Sequence, residues 1–318
     1  MSAGKTLTHF YMLAVAYALL THSAVQAQHN PLSRFFVAGT EERYVVSITL
    51  KAQTQIVSTE TVASKTYVMP VTHAAEVRLK WRATRRIVSA GKDSGSAEIE
   101  ENLSEEQPCW AIPQPGEISD AQLEASLGRL CATMRSPLTL RYTENAKGAL
   151  HEAGVPDLPL DLGEEAPPLL ALWLRRAVRP NIVFPSLTFE AGARARQELR
   201  PSGDLLKNAQ GSESSEWLDA QSDTPAASLH IVQQLSWDPP ARPANPADVA
   251  THPESRQRHE SFFADSITTL SLVDGSVLRT DRLASRTASH NMEPVAGLPE
   301  PPQFSSKLTI SVTIERLP

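Results

Sequence analysis

The 318-residue sequence contains little of what catalytic and metal sites are usually built from. It has two cysteines, and aromatic residues make up only 6% of the chain. Neither cysteine belongs to a CxxC pair or has a histidine at zinc-ligand spacing, which argues against zinc binding and thiol redox chemistry. GxSxG, HExxH, Walker and GxGxxG sequences are also missing. We therefore predict no catalytic, cofactor-binding or metal-ligating residue and no cofactor, and we do not expect an enzyme.

Excess positive charge and a second long apolar run are also missing. The chain has 30 basic and 36 acidic residues, for a formal net charge of -6. Nucleic-acid-binding domains are usually strongly basic, so we expect no nucleic-acid partner. Beyond the N-terminal segment no stretch is long and apolar enough to cross a bilayer. The composition therefore favours a soluble globular protein without a transmembrane span.

The first 27 residues have the pattern of an export signal. Lys5 gives a basic start, an apolar run follows from Phe10 to Leu20, and Val25-Gln26-Ala27 places small residues at a cleavage site before Gln28. The alternative is an amphipathic or buried N-terminal helix. We expect a cleaved signal peptide over residues 1–27 and a periplasmic or secreted protein, without the cysteine that a lipid anchor would need.

An oxidising compartment would favour a disulfide between Cys109 and Cys131. The bridge would close a loop of roughly 20 residues and stabilise the fold by about 3 kcal/mol in the chain-entropy model. A helix predicted near residues 119–134 would turn Cys131 inward, toward the sheet or the Cys109 loop. Two separate buried thiols are the alternative.

Most of the chain alternates apolar and polar residues with period two, the pattern of half-buried strands. Clear examples are Val46 to Leu50, Val77 to Trp81 and Leu308 to Ile314. Asp274-Gly275 suits a two-residue type I′ hairpin turn, and Gly91 to Gly95 and Lys147-Gly148 supply further corners. We predict a mainly β protein with a few helices and antiparallel sheets.

The predicted organisation has two β-rich modules bridged by a helix. The modules would span residues 28–160 and 181–318, and the bridge 161–180 would hold a helix starting at Pro167-Pro168 and stopping before Pro180. Prolines make residues 238–258 an exposed loop, and the polar segment 201–215 also reads as loop. Whether the two modules share one sheet is left open.

Pro185, Gly192 and the β-prone residues around them resemble the opening of the second half of uncharacterised exported bacterial β-sheet proteins. In that pattern a tryptophan usually follows the glycine by three positions, whereas this chain has Ala195. A curved antiparallel sheet with helices on one face is also similar to the half-barrel of periplasmic lipoprotein carriers, which hold acyl chains on the concave side. The first resemblance implies no activity, and the second is an analogy of fold.

Two surface features offer candidate sites. Arg78, Lys80 and Arg82 place three positive side chains on one face of a strand, and Arg85 and Arg86 continue this cationic run. The run would meet either the chain's own acidic residues Glu98 to Glu101 or an anionic partner such as an acidic polysaccharide or lipid headgroups. The chain's own acids are the simpler reading. His252, Glu254, His259 and Glu260 lie close in sequence, but we expect solvated loop residues there, because a loop does not fix the geometry of a site.

Three classes of function therefore remain. We expect non-catalytic binding of an apolar or lipid-like ligand, with a structural or protein-interaction component of the cell envelope as the alternative. An unrecognised hydrolase ranks third, because it would need a cleft with convergent titratable groups. The partner would accordingly be a lipid-like ligand or an envelope protein; the oligomeric state is open.

Overall fold

The computed structural model describes residues 32–62, 65–91, 95–112, 137–151, 168–185, 187, 189–200, 209–221, 225–238, 258–291 and 302–318. The strands in these ranges are β1 (Glu41–Val62), β2 (Lys65–Ala90), β3 (Ser96–Ile112), β4 (Leu138–Asn145), β5 (Leu150–His151), β6 (Arg194–Leu199), β7 (Gln210–Gln221), β8 (Ala226–Trp237), β9 (Arg258–Ser271), β10 (Val277–Asn291) and β11 (Gln303–Arg316), and the helix is α1 (Pro168–Ala177). The predicted signal peptide, the helix near 119–134, Cys131 and nearly all of the loop 238–258 lie outside the described residues.

All eleven strands form one open antiparallel sheet, in the order β5-β4-β3-β2-β1-β11-β10-β9-β8-β7-β6. The prediction of a mainly antiparallel β protein with few helices is confirmed. The two halves of the chain meet where β1 pairs with β11, from Tyr44 opposite Arg316 to Val57 opposite Gln303. The sequence left open whether the halves share a sheet, and they do. The module boundaries themselves stay a prediction.

Alternation along the strands divides the sheet into two faces, as the sequence predicted. Val46, Ile48 and Leu50 of β1 are buried, and the partners that face the same way, such as Leu79 of β2 and Val312 of β11, are buried too. The residues between them are more exposed. One continuous apolar face therefore crosses the join between the halves.

Hydrogen bonds from two consecutive residues, Arg34 and Phe35, to two hairpins far apart in the sheet order show that the sheet is curled. The Arg34 amide donates to the Ala146 carbonyl in the β4–β5 turn at 2.8 Å, and the Phe35 amide donates to the Asp274 carbonyl in the β9–β10 turn at 2.9 Å. In sheet order β4 and β10 are separated by β3, β2, β1 and β11. Five strand spacings span roughly 24 Å in a flat sheet. The sheet must therefore bend strongly at this end.

Helix α1 packs against the apolar, concave face of this curl. Pro168 suits the first helical position for two reasons. Its fixed φ matches that of a helix, and an amide at this position would have no acceptor within the helix. Leu174, Ala177 and Val178 at the other end are buried. Arg282 of β10 donates hydrogen bonds to the carbonyls of Arg176, Ala177, Arg179 and Asn181, at 2.7 to 3.2 Å. The helix predicted to start at Pro167-Pro168 and to stop before Pro180 is present.

Two local predictions are wrong. The β9–β10 turn is not a two-residue type I′ turn, because Ser271 and Ser276 still pair and leave residues 272–275 as a four-residue loop. The Asp274 carboxylate accepts from the Ser276 amide and hydroxyl, which fixes the wider turn. Gly275 closes it with φ 67°.

The second error concerns the polar segment 201–215, which the sequence predicted as loop. Strand β7 already begins at Gln210. Its pairing with β8 rests on the backbone, and at Gly211 a Cβ atom would lie 2.0 Å from the Gln234 carbonyl. Close backbone contact therefore replaces apolar alternation here.

Among the described residues, no helix has the length and hydropathy to cross a membrane.

Candidate functional site

The concave face has two regions that differ in chemistry. Near α1 it carries buried charges, and we call Arg34, Glu42, Arg85 and Glu144 the charged cluster. Their four side chains are each 4% exposed or less. Toward the other strand ends the same face is apolar and only half-buried.

Arg85 of β2 lies at the centre of the charged cluster. It pairs with Glu42 of β1 at 3.0 Å and with Glu144 of β4, and it donates to the Tyr142 hydroxyl and to the Pro180 carbonyl, each at 3.0 Å. Two strands of the sheet and the chain that follows α1 are thus held by one guanidinium group. Charge-assisted hydrogen bonds of this kind are about twice as strong as neutral ones.

Arg34 completes the balance of charge in the cluster. It pairs with Glu42 at 2.9 Å and with Glu144 at 3.4 Å, so that two arginines face two glutamates. Burial alone would raise the pKa of Glu42, but the charges of Arg85 and Arg34 and a hydrogen bond from Arg34 hold it below its ordinary value of 4.5. Burial, followed by the charge of Glu42, raises the pKa of Tyr44. Each charge has an opposite partner, which suits a structural network rather than a ligand site.

The other region consists of apolar side chains that point into the concavity and are not fully covered. We call it the concave apolar strip: Ile56, Val71, Ile231, Leu235, Phe304 and Leu308. Their registers place them on the same face as the buried core residues. Five are half-buried and Val71 is exposed.

Small residues lie next to the concave apolar strip. Ala264 and Ala284 face each other across β9 and β10, and Ala288 follows on the same face of β10. All three are buried. Because almost none of their surface is exposed, other parts of the chain cover these alanines, and they belong to the packed interior beside the strip.

One buried ion pair also belongs to this face. Arg286 of β10 contacts the Glu260 carboxylate of β9 at 2.7 Å through Nη2 and at 2.9 Å through Nε. His290 lies further along β10, with its ring centroid 4.9 Å from that of Phe304. The region is thus amphipathic, with charged and aromatic groups set into an apolar wall.

Arg78, Lys80 and Arg82 lie together on the opposite, convex face. Arg78 pairs with Glu76 at 2.9 Å, while Lys80 and Arg82 lie 3.6 and 3.4 Å from Glu106. The expected β2–β3 hairpin is present, but it does not bring Glu98 to Glu101 opposite these three cations. The β2–β3 hairpin instead sets Arg85 opposite Glu101 and Arg86 opposite Glu100, and register shifts on either side of Lys80 displace the rest. The anionic-partner hypothesis remains a prediction.

The proposed histidine cluster is split by strand geometry. His259 does not belong to the proline-rich loop but lies on β9, where its side chain is exposed and contacts Asp238 at 3.0 Å. Its neighbour Glu260 is buried against Arg286 on the other face. His252 and Glu254 lie outside the described residues. Within the described ranges, no group of three or more histidine, cysteine, aspartate or glutamate residues could hold a metal ion.

Cys109 is half-buried near the end of β3 and packs against the hydrophobic core. Its amide donates to the Glu105 carboxylate at 3.1 Å. Because Cys131 is outside the described residues, the disulfide stays a prediction.

Motifs and spacing in the sequence did not reveal the charged cluster or the Arg286–Glu260 pair. A signal was present, because Glu42 is in phase with Tyr44 and Val46, and Arg85 with Ala83 and Ile87. Charged residues at apolar positions of an alternating strand predict buried ion pairs.

Comparison with known proteins adds no family. No protein-family model and no curated protein matches the chain. Solved structures that match include one of lipid–protein interactions in lipovitellin, with 10% identity and a TM-score of 0.32 over 86% of this chain and 25% of that chain. The Salmonella injectisome secretin InvG in its open gate state has 8% identity and a TM-score of 0.16, over 98% of this chain and 65% of that one. The ETEC pilotin–secretin complex AspS–GspD has 10% identity and a TM-score of 0.18, over 88% and 50%. The match thus spans a quarter to just under two thirds of the length of these three chains, and such TM-scores do not establish a shared fold.

Proposed function

We propose that this protein binds an apolar or lipid-like ligand on the concave face of its sheet, without catalysis. The observation that carries the proposal is the concave apolar strip, whose side chains share the face of the core and yet keep surface exposed. Covering such surface contributes about 25 cal/mol per Å². The Arg286–Glu260 pair beside the strip gives it a polar margin. Ligand sites of this kind combine apolar walls with a few placed polar groups.

The test compares two neighbouring residues of β8 that differ in the face they occupy. Ile231 belongs to the strip, whereas Val232 points to the convex face, and both are half-buried. We expect Ile231→Gln to weaken binding of a fluorescent fatty-acid probe at least several-fold, and Val232→Gln to leave it near the wild-type value. Equal effects of the two variants, or no saturable binding by the wild-type protein, would contradict the proposal. Native mass spectrometry of the protein purified from its own source would show a co-purifying lipid directly.

A second candidate function is a structural or protein-interaction role in the cell envelope. The observation that favours it is the exposure of apolar side chains at the α1 end of the sheet, where Phe35 is 56% and Val273 is 78% exposed. Their loops are joined by the Phe35–Asp274 backbone hydrogen bond. Exposed apolar patches often mark interaction sites. Loss of a stoichiometric cross-linked partner in Phe35→Ser/Val273→Ser, with the fatty-acid probe still bound, would support a partner-binding role for this patch that is separate from the ligand site.

The proposal includes export to the periplasm or the cell exterior. Its support is the sequence of residues 1–27, with the basic Lys5, the apolar run and the small residues before Gln28. N-terminal sequencing of the purified protein should begin at Gln28. A chain that still begins at Met1 and fractionates with the cytoplasm would contradict export.

A further inference from the structure

The segment from Leu32 to Val37, which we call the clasp, connects two hairpins that the sheet order keeps apart. The amide of Arg34 is bound to the β4–β5 turn and the amide of Phe35 to the β9–β10 turn. Consecutive Cα atoms are only about 3.8 Å apart. The clasp therefore holds the two turns within a distance far shorter than the roughly 24 Å that separates β4 from β10 in a flat sheet.

Side chains on either side of these bonds anchor the clasp. Leu32 and Phe36 are buried in the hydrophobic core. Arg34 is 4% exposed and pairs with Glu42 of β1 and Glu144 of β4, and its guanidinium lies 5.4 Å from the centroid of the Phe36 ring. These contacts fix the clasp to the β1 side and the β4 side of the curl at once.

The β9–β10 turn lies so close to the clasp that the position of Gly275 tolerates no side chain. A Cβ atom on Gly275 would lie 2.5 Å from the Ser33 carbonyl oxygen. The φ of 67° at Gly275 already disfavours other residues. The β9–β10 turn is therefore shaped to receive the backbone of residues 33–35.

We infer that the clasp holds the β4–β5 and β9–β10 turns together, and that it thereby sets the curvature of the sheet and limits access to its concave face. With the clasp in place, the β4–β5 and β9–β10 turns stay together and the concavity stays narrow. The segment after α1 forms a second link, because the Phe184 amide donates to the Lys147 carbonyl in the β4–β5 turn and the Asn181 carbonyl accepts from Arg282 of β10. Release of the clasp removes the link that contacts both turns directly, so the turns should move apart and the concave face should widen. The effect on ligand access rests on the proposed function, whereas the effect on curvature does not.

The experiment measures the distance between the two turns with spin labels at Lys147 and Val273, which are both exposed. The labels are attached to unnatural amino acids, so the native cysteines stay unchanged. Arg34→Gln removes the charged anchor of the clasp. Arg43→Gln is the matched control, because Arg43 is an exposed arginine whose pair with Glu41 does not join the hairpins. We expect the distance distribution to lengthen and broaden in Arg34→Gln and to stay as in the wild type in Arg43→Gln.

A second pair of variants tests the backbone bond, and it decides the matter if Arg34→Gln does not fold. Phe35→Pro removes the amide that donates to Asp274, whereas Phe35→Ala keeps the amide and removes only an exposed ring. The inference requires a longer distance in Phe35→Pro than in Phe35→Ala. A wild-type distance in every folded variant would overturn it.

The fatty-acid probe separates this inference from the proposed function. If both hold, association of the probe should be several-fold faster in the clasp variants than in their controls. If the turns separate and no variant binds the probe, the clasp is supported and the lipid-binding proposal is not.

Discussion

At the scale of single residues, the main feature is a set of charges at strand positions where the alternating apolar–polar pattern predicts apolar side chains. Arg85 and Glu42 share a face with Trp81 and Val46, yet each has opposite charges within ion-pair distance. Transferring such charges from water is costly, and their mutual attraction roughly offsets that cost. We therefore expect the charged cluster to specify which strands meet more than to add net stability.

Removal of one charged residue from the cluster should lower the free energy of unfolding by much more than the whole cluster adds to it. Arg85→Met would leave Glu42 and Glu144 buried beside only Arg34, and we expect the free energy of unfolding to fall by about 3–5 kcal/mol. Arg86→Met changes the neighbouring, exposed arginine on the convex face and should cost less than about 1 kcal/mol. Urea unfolding of both variants checks this. Similar losses would show that burial in the cluster is unimportant.

Glu42 should also give the protein a specific dependence on acid. Its pKa is lower in the folded than in the unfolded chain, so its contribution to stability is present above the unfolded value near 4.5 and is lost as the pH falls through the folded value. Glu42→Gln removes this titration. We therefore expect the variant to be less stable at neutral pH and its stability to depend less steeply on pH below 4.5. Parallel pH profiles of the two proteins would contradict the expectation.

At the scale of elements, α1 is attached to the sheet through its carboxyl end. Helix termini leave carbonyl groups without partners inside the helix, and Arg282 supplies donors to several of them. Burial lowers the pKa of Arg282 to about 10, so the guanidinium still carries its charge at neutral pH. The cation at this end also suits the helix dipole.

Loss of that donor should loosen α1 without dismantling the sheet. In Arg282→Met we expect amide hydrogen exchange to speed up by at least tenfold in residues 174–181, while β1 and β11 keep their protection. Arg279→Met, three residues away on the convex face and paired with Asp281 and Glu315, should leave α1 unchanged. If both variants loosen α1 equally, Arg282 does not anchor it.

The same scale shows what the sequence could and could not predict. Alternation identified the strands around Val46, Val77 and Ile310, because a sheet with one buried face imposes period two on its residues. It missed the start of β7 at Gln210, where backbone pairing proceeds without apolar side chains. It also misjudged the width of the β9–β10 turn, which the hydrogen bonds from Ser276 to Asp274 fix, and it did not reveal the clasp, which packs on Gly275 from some 240 residues earlier in the sequence. Short-range patterns carry no information about such contacts, and the concave apolar strip likewise depends on the curl.

At the scale of the whole molecule, the predicted bond between Cys109 and Cys131 would tie β3 to the segment that follows it in the chain. Its closure should contribute on the order of 3 kcal/mol, so a reducing agent should lower the melting temperature and slow migration in a non-reducing gel. Cys131→Ser should show the lowered melting temperature without reducing agent. Unchanged mobility and melting temperature on reduction would remove the disulfide.

The pairing of β1 with β11 makes the two halves of the chain parts of one sheet, and it should make them unfold together. Ile310 of β11 is fully buried opposite Leu50 of β1, so Ile310→Ala removes packing from both halves at once. A buried isoleucine truncated to alanine costs about 2–5 kcal/mol. If the sheet is one cooperative unit, hydrogen exchange in increasing denaturant should show the same loss of stability in β4 and in β8, which lie on opposite sides of the join. Thr309→Ala changes the adjacent convex position and serves as the control. Loss of protection in one half alone would mean that the two modules predicted from the sequence unfold separately despite their shared sheet.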